Sequence, residues 1–474
     1  MNRFSVTTRF HRARTCDHRS KRLGLSACLL VMVLTLPLPV AQSEIVGRLT
    51  QLPGTDGCIS ESGSGDQCAV GKGLVTANMA VVSGDGNNVY VTSTDSRAVA
   101  IFARDTSTGL LTQLAGTSGC VSESGTGGQC IDGKALDRPL GMAISSRGNH
   151  VYVASGESDS IAVFARNEST GALTQLAGTD GCVSEDGSDG QCADGTGLDG
   201  ARGIALTPDG RNLYVASVFG NSVAAFSRNR QSGVLTQLPG TDGCVSEIGS
   251  SQCGEGRGLG AAAWVGLSPD QENVYVASAG SNAIAVFARD TSTGVLTQVP
   301  GTDGCVSENG SGGQCTDGTA LDGAISLHIT GKHAYVAAQN NNTVAVFARD
   351  TSTGVLTQLP GVDGCVSQTG TAGQCADGKG LSGIQFVTGS RDRRSIYTAS
   401  HFSSAVGVFR RTRPQGSLTQ LRGVRGCISE TGSGGECTDG RGLLGPRSVA
   451  ISPDDLNAYV GSALSDAVLT FSRL

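Results

Sequence analysis

The sequence predicts an all-β protein, a seven-bladed β-propeller with four antiparallel strands per blade, and three observations predict it. Fourteen cysteines recur as seven close pairs whose first members lie 60 to 62 residues apart, so one structural unit occupies about 62 residues. Each unit carries four short runs of β-branched and apolar residues separated by turn residues. All seven tyrosines of the chain fall at one place in that unit, one per repeat. Aromatic residues make up 4% and charged residues 16%, with 70 glycines, a composition of turns and small-residue strands, and no long amphipathic helical period is present.

The third unit shows the order of elements: GIALTPDG, NLYVAS, SVAAFSRN and VLTQLPG, here strands A, B, C and D. Pro-Asp-Gly and Ser-Gly punctuation between the runs reads as a tight meander. Seven such sheets standing radially around a channel bury both faces against their neighbours. Tyr90, Tyr152, Tyr214, Tyr275, Tyr335, Tyr397 and Tyr459 mark strand B, and Phe102, Phe164, Phe226, Phe287, Phe347, Phe409 and Phe471 mark strand C. Placement at every blade predicts inter-blade packing rather than a ligand cage. The repeat opens with a lone strand D, Arg48 to Leu52, and ends after strand C, Ala467 to Leu474. The first strand is therefore expected to complete the last blade beside Val468 to Phe471, removing two open sheet edges.

Ahead of the repeats, MNRFSVTTRFHRARTCDHRSKR holds seven Lys/Arg against one Asp and precedes the apolar run LGLSACLLVMVLTLPLPV. This is the layout of a signal peptide over residues 1–43, with Ala41-Gln42-Ser43 as the cleavage site and the propeller over 44–474. Retention as a single membrane anchor and lipidation at Cys28 within Leu25-Ser26-Ala27-Cys28 are the alternatives. Removing 1–43 leaves 28 Lys/Arg against 40 Asp/Glu, a formal charge of −12, which argues against nucleic acid as a partner. The expectation is an exported monomer, secreted, periplasmic or on the cell surface.

The cysteines lie between strand D of one blade and strand A of the next, in long glycine-rich loops expected to crown one mouth of the channel. In an exported protein such pairs read as disulfides, each within one loop: Cys58 with Cys68, Cys120 with Cys130, Cys182 with Cys192, Cys244 with Cys253, Cys305 with Cys315, Cys365 with Cys375 and Cys427 with Cys437. Loop entropy assigns about 2.8 kcal/mol to each small ring. Zinc is disfavoured because no CxxC spacing occurs and histidine is scarce. Repeated acids, such as Asp180 and Glu185, could supply Ca²⁺ ligands; otherwise Asp before Gly makes turns and the Glu caps nearby amides, as Gln368 would in its place. No cofactor is expected, with Ca²⁺ as the alternative.

The turns Ser268-Pro269-Asp270, Ser452-Pro453-Asp454 and Thr207-Pro208-Asp209-Gly210, the VYVAS strands and the phrase FARDTSTGVLTQL together resemble the YVTN and lactonase-like seven-bladed propellers, over residues 48–474. That resemblance implies relatives that include phosphogluconolactonase-like hydrolases and muconate-lactonising enzymes. Lactone-active members commonly carry Pro-His just before an inner strand. The corresponding positions here read Arg138-Pro139-Leu140, Ala201-Arg202-Gly203, Ala263-Trp264-Val265 and Pro446-Arg447-Ser448, without that histidine.

Candidate ligand-binding residues are therefore those at the starts of strands A: Asn78, Arg138, Arg202, Trp264, Gln385 and Arg447. Three arginines around one channel could hold a carboxylate or phosphate; alternatively they pair with carboxylates of the loop crown. Acid or base work would fall to His328 on strand A of blade five or His401 on a B-to-C connection. His150 and His333, in turns entering strand B, are expected to be solvated. The function expected is binding, of a small anionic ligand in the channel or of a protein or glycan on the loop face. The alternatives are a lactonase-like hydrolase using those arginines with His328 or His401, and a structural envelope module.

Overall fold

Strand B is buried at all six of its positions in every blade, for example Asn212–Ser217 in blade three, because sheets cover it on both faces. That is why its sequence runs without polar alternation. The computed structural model describes residues 46–65 and 67–474 and forms seven sheets, each ordered A, B, C and then D from the inside outward. In blade three, A is Ala201–Leu206, B is Asn212–Ser217 and C is Ser222–Arg228. The signal-peptide, lipidation and anchor readings of residues 1–43 lie outside the described residues.

Strand D is drawn in two pieces. Leu235–Gln237 pairs with the second half of strand C, and Cys244–Ser246 with its first half, either side of a single 3-10 turn at Gly240–Gly243. A two-residue strand, Gly254–Glu255, adds in parallel outside the second piece. The first cysteine of each pair thus belongs to the sheet, and the cysteine loops sit on the outer edge of the ring instead of crowning its channel. Each of the seven disulfides joins the two cysteines of one loop, with Cα atoms 4.7–4.8 Å apart.

The chain closes as the strand order predicts. Leu49–Gln51 pairs antiparallel with Ala467–Arg473 in the register Leu49 to Arg473 and Gln51 to Phe471, and Cys58–Ser60 continues the same edge. The cysteine loops are also tied to one another. Gln113 accepts the Lys72 amide at 3.0 Å and donates to the Lys72 carbonyl at 2.8 Å, joining one loop to the strand of the next blade. Gln51 makes the same pair with Arg441, which closes this belt across the chain ends. The repeated Glu is spent locally: Glu61 accepts the Leu74 amide at 2.7 Å, and Gln368 accepts Leu381 at 2.6 Å in the same geometry. An uncharged amide oxygen serves there as well as a carboxylate.

All the strand B tyrosines and strand C phenylalanines are fully buried. They lie in core clusters that each span two neighbouring blades, such as Tyr90 and Ile101 of blade one with Val151 and Phe164 of blade two. The phenols are not idle. Tyr90 donates to the Gly171 carbonyl at 2.7 Å and accepts from Arg166 Nε at 2.7 Å, both from the next blade. Burial pushes this phenol up to about 12, so it stays a donor. An arginine near the end of every strand C repeats the contact: Arg104, Arg166, Arg228, Arg289, Arg349, Arg411 and Arg473. In four joints an Asp of the neighbouring A-to-B turn completes the clamp, as Asp85 does with Arg166 at 2.9 Å.

In a fifth joint Arg289 bonds Asn212 at 2.6 Å instead; the remaining two overturn the expectation that His150 and His333 are solvated: each is only 5% exposed. Arg147 stands where the turn Asp would be in blade two, and the blade-five turn is shorter and lacks one. There the clamping arginine meets histidine instead, with Arg228 Nη2 at 2.8 Å from His150 Nδ1 and Arg411 Nη2 at 2.7 Å from His333 Nδ1. A guanidinium only donates, so Nδ1 must be the unprotonated acceptor. Burial, then the facing arginine, lowers both imidazoles below the ordinary histidine value of 6.5. A depressed folded value means that this contribution is present above about pH 6.5 and is lost as pH falls below it. His150→Asn with His333→Asn, the residue most sibling blades use, should flatten the fall in denaturation midpoint between pH 7.5 and pH 5. An unchanged acid slope in the double variant would refute this assignment.

Candidate functional site

Strands A line the channel, and a bulge near the start of each turns the first residues toward its mouth. All six residues expected to bind ligand, Asn78, Arg138, Arg202, Trp264, Gln385 and Arg447, line one cavity of about 630 Å³ there. Ring closure is what assembles them, since they come from blades one, two, three, four, six and seven.

The wall is divided by blade. Blades seven, two and three bring Arg447, Arg138 and Arg202; blades four, five and six bring Trp264, Ile325 and Phe386. Trp264 meets Phe386 edge-on, with ring centroids 5.1 Å apart and planes at 87°, a favourable quadrupolar arrangement. The cavity offers a cationic side and an aromatic side.

Arg138, Arg202 and Arg447 do not pair with carboxylates of the cysteine loops; Asp137, at the end of one such loop, lines the cavity but pairs with Arg97. Arg138 bonds Glu157 of its own B-to-C connection at 2.8 Å, an exposed pair. Arg447 Nη1 reaches only the Gln385 amide oxygen at 3.3 Å, and its buried Nε has no partner. Among the described residues no carboxylate is paired with Arg202 or Arg447. Burial, then repulsion from Arg447 and Arg138, pushes Arg202 down to about 10; burial, then Arg138, lowers Arg447. Two guanidiniums that repel each other in one cavity, neither paired with a carboxylate, make that part of the wall an anion site by Coulomb's law.

Neither histidine lines the cavity. His328 pairs in register with Tyr335 near the far end of its strand and packs toward Gly389 of blade six. Burial, then Arg411 and Arg393, pushes it down to about 4, so it is a neutral ring away from the mouth. His401 packs against Gly445 and Phe402, its Nδ1 buried without a partner, and does not line the cavity. Sequence reading missed the carboxylates that do: Asp95, which accepts from Thr76 Oγ1 at 2.7 Å, Asp137, paired with Arg97 at 3.0 Å, and Glu157. They sit on B-to-C turns and strand lead-ins, where an acid looks like ordinary turn chemistry.

A family model described as Lactonase, 7-bladed beta-propeller matches residues 189–367, which include Arg202 and Trp264. Over those central blades the resemblance to lactonase-like propellers is shown. No curated protein matches the chain. A Bacteroides fragilis structure provisionally assigned as a 6-phosphogluconolactonase is 19% identical with a TM-score of 0.51, covering 84% of this chain and 91% of that one. Kuenenia stuttgartiensis hydrazine synthase is 16% identical at a TM-score of 0.50, covering 85% and 97%. The RRP9 WD40 repeats are 14% identical at 0.50, covering 84% and 95%. Proteins of such different roles establish the propeller and leave the reaction to the residues at its mouth.

Proposed function

We propose that this lactonase-like seven-bladed propeller works outside the reducing cytoplasm as a binding protein for a small organic anion with an apolar face. The observation that carries the reading is the pair Arg202 and Arg447, both lining the mouth without a carboxylate partner, in a cavity that the Trp264–Phe386 pair also lines. Seven disulfides indicate an oxidising compartment. Arg202→Gln or Arg447→Gln is expected to weaken binding of a ring-bearing carboxylate such as benzoate by about 1.5–3 kcal/mol, roughly 10- to 150-fold, measured by calorimetry. Wild-type affinity retained in both variants would sink the reading.

Hydrolysis of an anionic lactone is the second reading, favoured by the family match and by the carboxylates that share the cavity. Its base would be Asp95, Asp137 or Glu157, since neither His328 nor His401 lines the cavity. Turnover of 6-phosphogluconolactone or gluconolactone that collapses on Asp95→Asn or Asp137→Asn would move the protein from binder to enzyme.

A further inference from the structure

The sevenfold repeat acts as its own control at the channel mouth. Each B-to-C turn carries one left-handed residue, at Arg97, Asp159, Asn221, Asn282, Asn342, Ser404 and Asp466. In six turns that side chain accepts the backbone amide that leads into strand A of the following blade. The acceptors are Asp466 for Thr76, Asp159 for Gly200, Asn221 for Ala261, Asn282 for Gly323, Asn342 for Gly383 and Ser404 for Gly445, at 2.6–3.4 Å.

The seventh joint breaks the pattern. Arg97 has no acceptor atom to offer, and its guanidinium turns to Asp137 at 3.0 Å. The Arg138 amide that follows has no acceptor among the described residues. Arg138 keeps the left-handed backbone of its siblings, φ +57 beside +57 at Thr76 and +70 at Gly200, so its N–H is presented as theirs are. Left-handed backbone suits glycine, the residue at four of these positions, and disfavours arginine. Arg97 and Arg138 both line the cavity that holds Arg202 and Arg447. In two sibling joints the oxygen on this amide is a carboxylate, from Asp159 or Asp466.

We propose that the Arg138 amide, flanked by the Arg97 and Arg138 side chains, is a second oxyanion position at the mouth. The ligand is then a compound with two separated anionic groups, carboxylate or phosphate, one at Arg202 and Arg447 and one where sibling blades place an Asp oxygen. This rests on the anion reading of the mouth and deepens it.

The test is calorimetric titration with the dicarboxylates malonate to adipate, the matching monocarboxylates, and phosphono-carboxylates of the same lengths. The best dianion should bind at least about ten-fold tighter than its monoanion. Arg97→Asn installs the cap of the sibling blades and should erase that advantage, read as the ratio of dianion to monoanion affinity. Arg97→Ala, which removes the charge without filling the amide, should erase less of it. Slowed hydrogen exchange at the Arg138 amide on adding the dianion is the direct readout. Equal losses in the Asn and Ala variants, or Arg138 exchange that ignores the dianion, overturn the second position alone, provided Arg202→Gln still weakens both probes. No binding to the wild type, or binding indifferent to Arg202→Gln, overturns the anion reading and this inference together.

Discussion

A chain beginning at Thr55 should be less stable by about 5 kcal/mol than one that includes residues 46–54. Leu49 is 2% exposed in the last blade's core, and its burial is worth about 2 kcal/mol. The Gly47 carbonyl accepts the buried Tyr397 hydroxyl at 2.8 Å, and Gln51 bonds both the amide and carbonyl of Arg441, each bond worth about 1 kcal/mol. Without the segment, strand C of blade seven, Ala467–Arg473, loses its partner along Phe471 to Arg473, and Tyr397 is left without an acceptor. Urea midpoints of the two chains under identical buffer report the difference. Coincident midpoints would mean that the ring does not depend on this strand.

Arg349→Ala carries the second large effect, a loss of about 3–5 kcal/mol, because it removes a covered guanidinium that makes five hydrogen bonds across one joint, while Asp270, about a third exposed, can turn to water. The guanidinium is fully covered. It bonds Asp270 through two nitrogens at 2.7 and 3.0 Å, Asn273 at 2.6 Å, the Gly331 carbonyl at 3.1 Å and the Tyr275 hydroxyl at 2.8 Å. Each of those partners except Gly331 belongs to the preceding blade, so this one side chain joins two sheets. Arg349→Lys should recover only a minor part, since an ammonium cannot span the fork. Tyr275→Phe should cost about 2 kcal/mol, because its hydroxyl makes two buried hydrogen bonds, accepting from Arg349 and donating to the Gly354 carbonyl at 2.8 Å. An alanine variant within 1 kcal/mol of wild type in denaturant would show that aromatic packing alone holds the joint.

The clamp was written in the sequence as FAR, FSR and FRR at the end of strand C, yet its meaning was not readable there. An arginine one residue past a hydrophobic strand looks like a solvated end. Only the packing of one blade on the next shows it meeting a tyrosine some 76 residues away, as Arg166 meets Tyr90. The mouth was half legible for a related reason. The starts of strands A were predictable, so Asn78, Arg138, Arg202, Trp264, Gln385 and Arg447 could be chosen by position. His328 and His401 were chosen by chemistry, and position along the strand and turn packing keep both out of the cavity lining.

By itself the sequence determined the number of blades, the order of their strands, the partner of the first strand and the pairing of every described cysteine. Those properties are periodic or local: a spacing repeated seven times, or two cysteines ten residues apart, leaves few alternatives. The tertiary structure alone decided which of the residues that depart from the repeat face one another. Arg97 is a lone exception in its column, and nothing near it in the sequence says that it withholds an oxygen from the Arg138 amide beside Arg202 and Arg447. That follows from closing seven twisted sheets into a ring, which brings residues from blades one, two, three and seven to the same mouth.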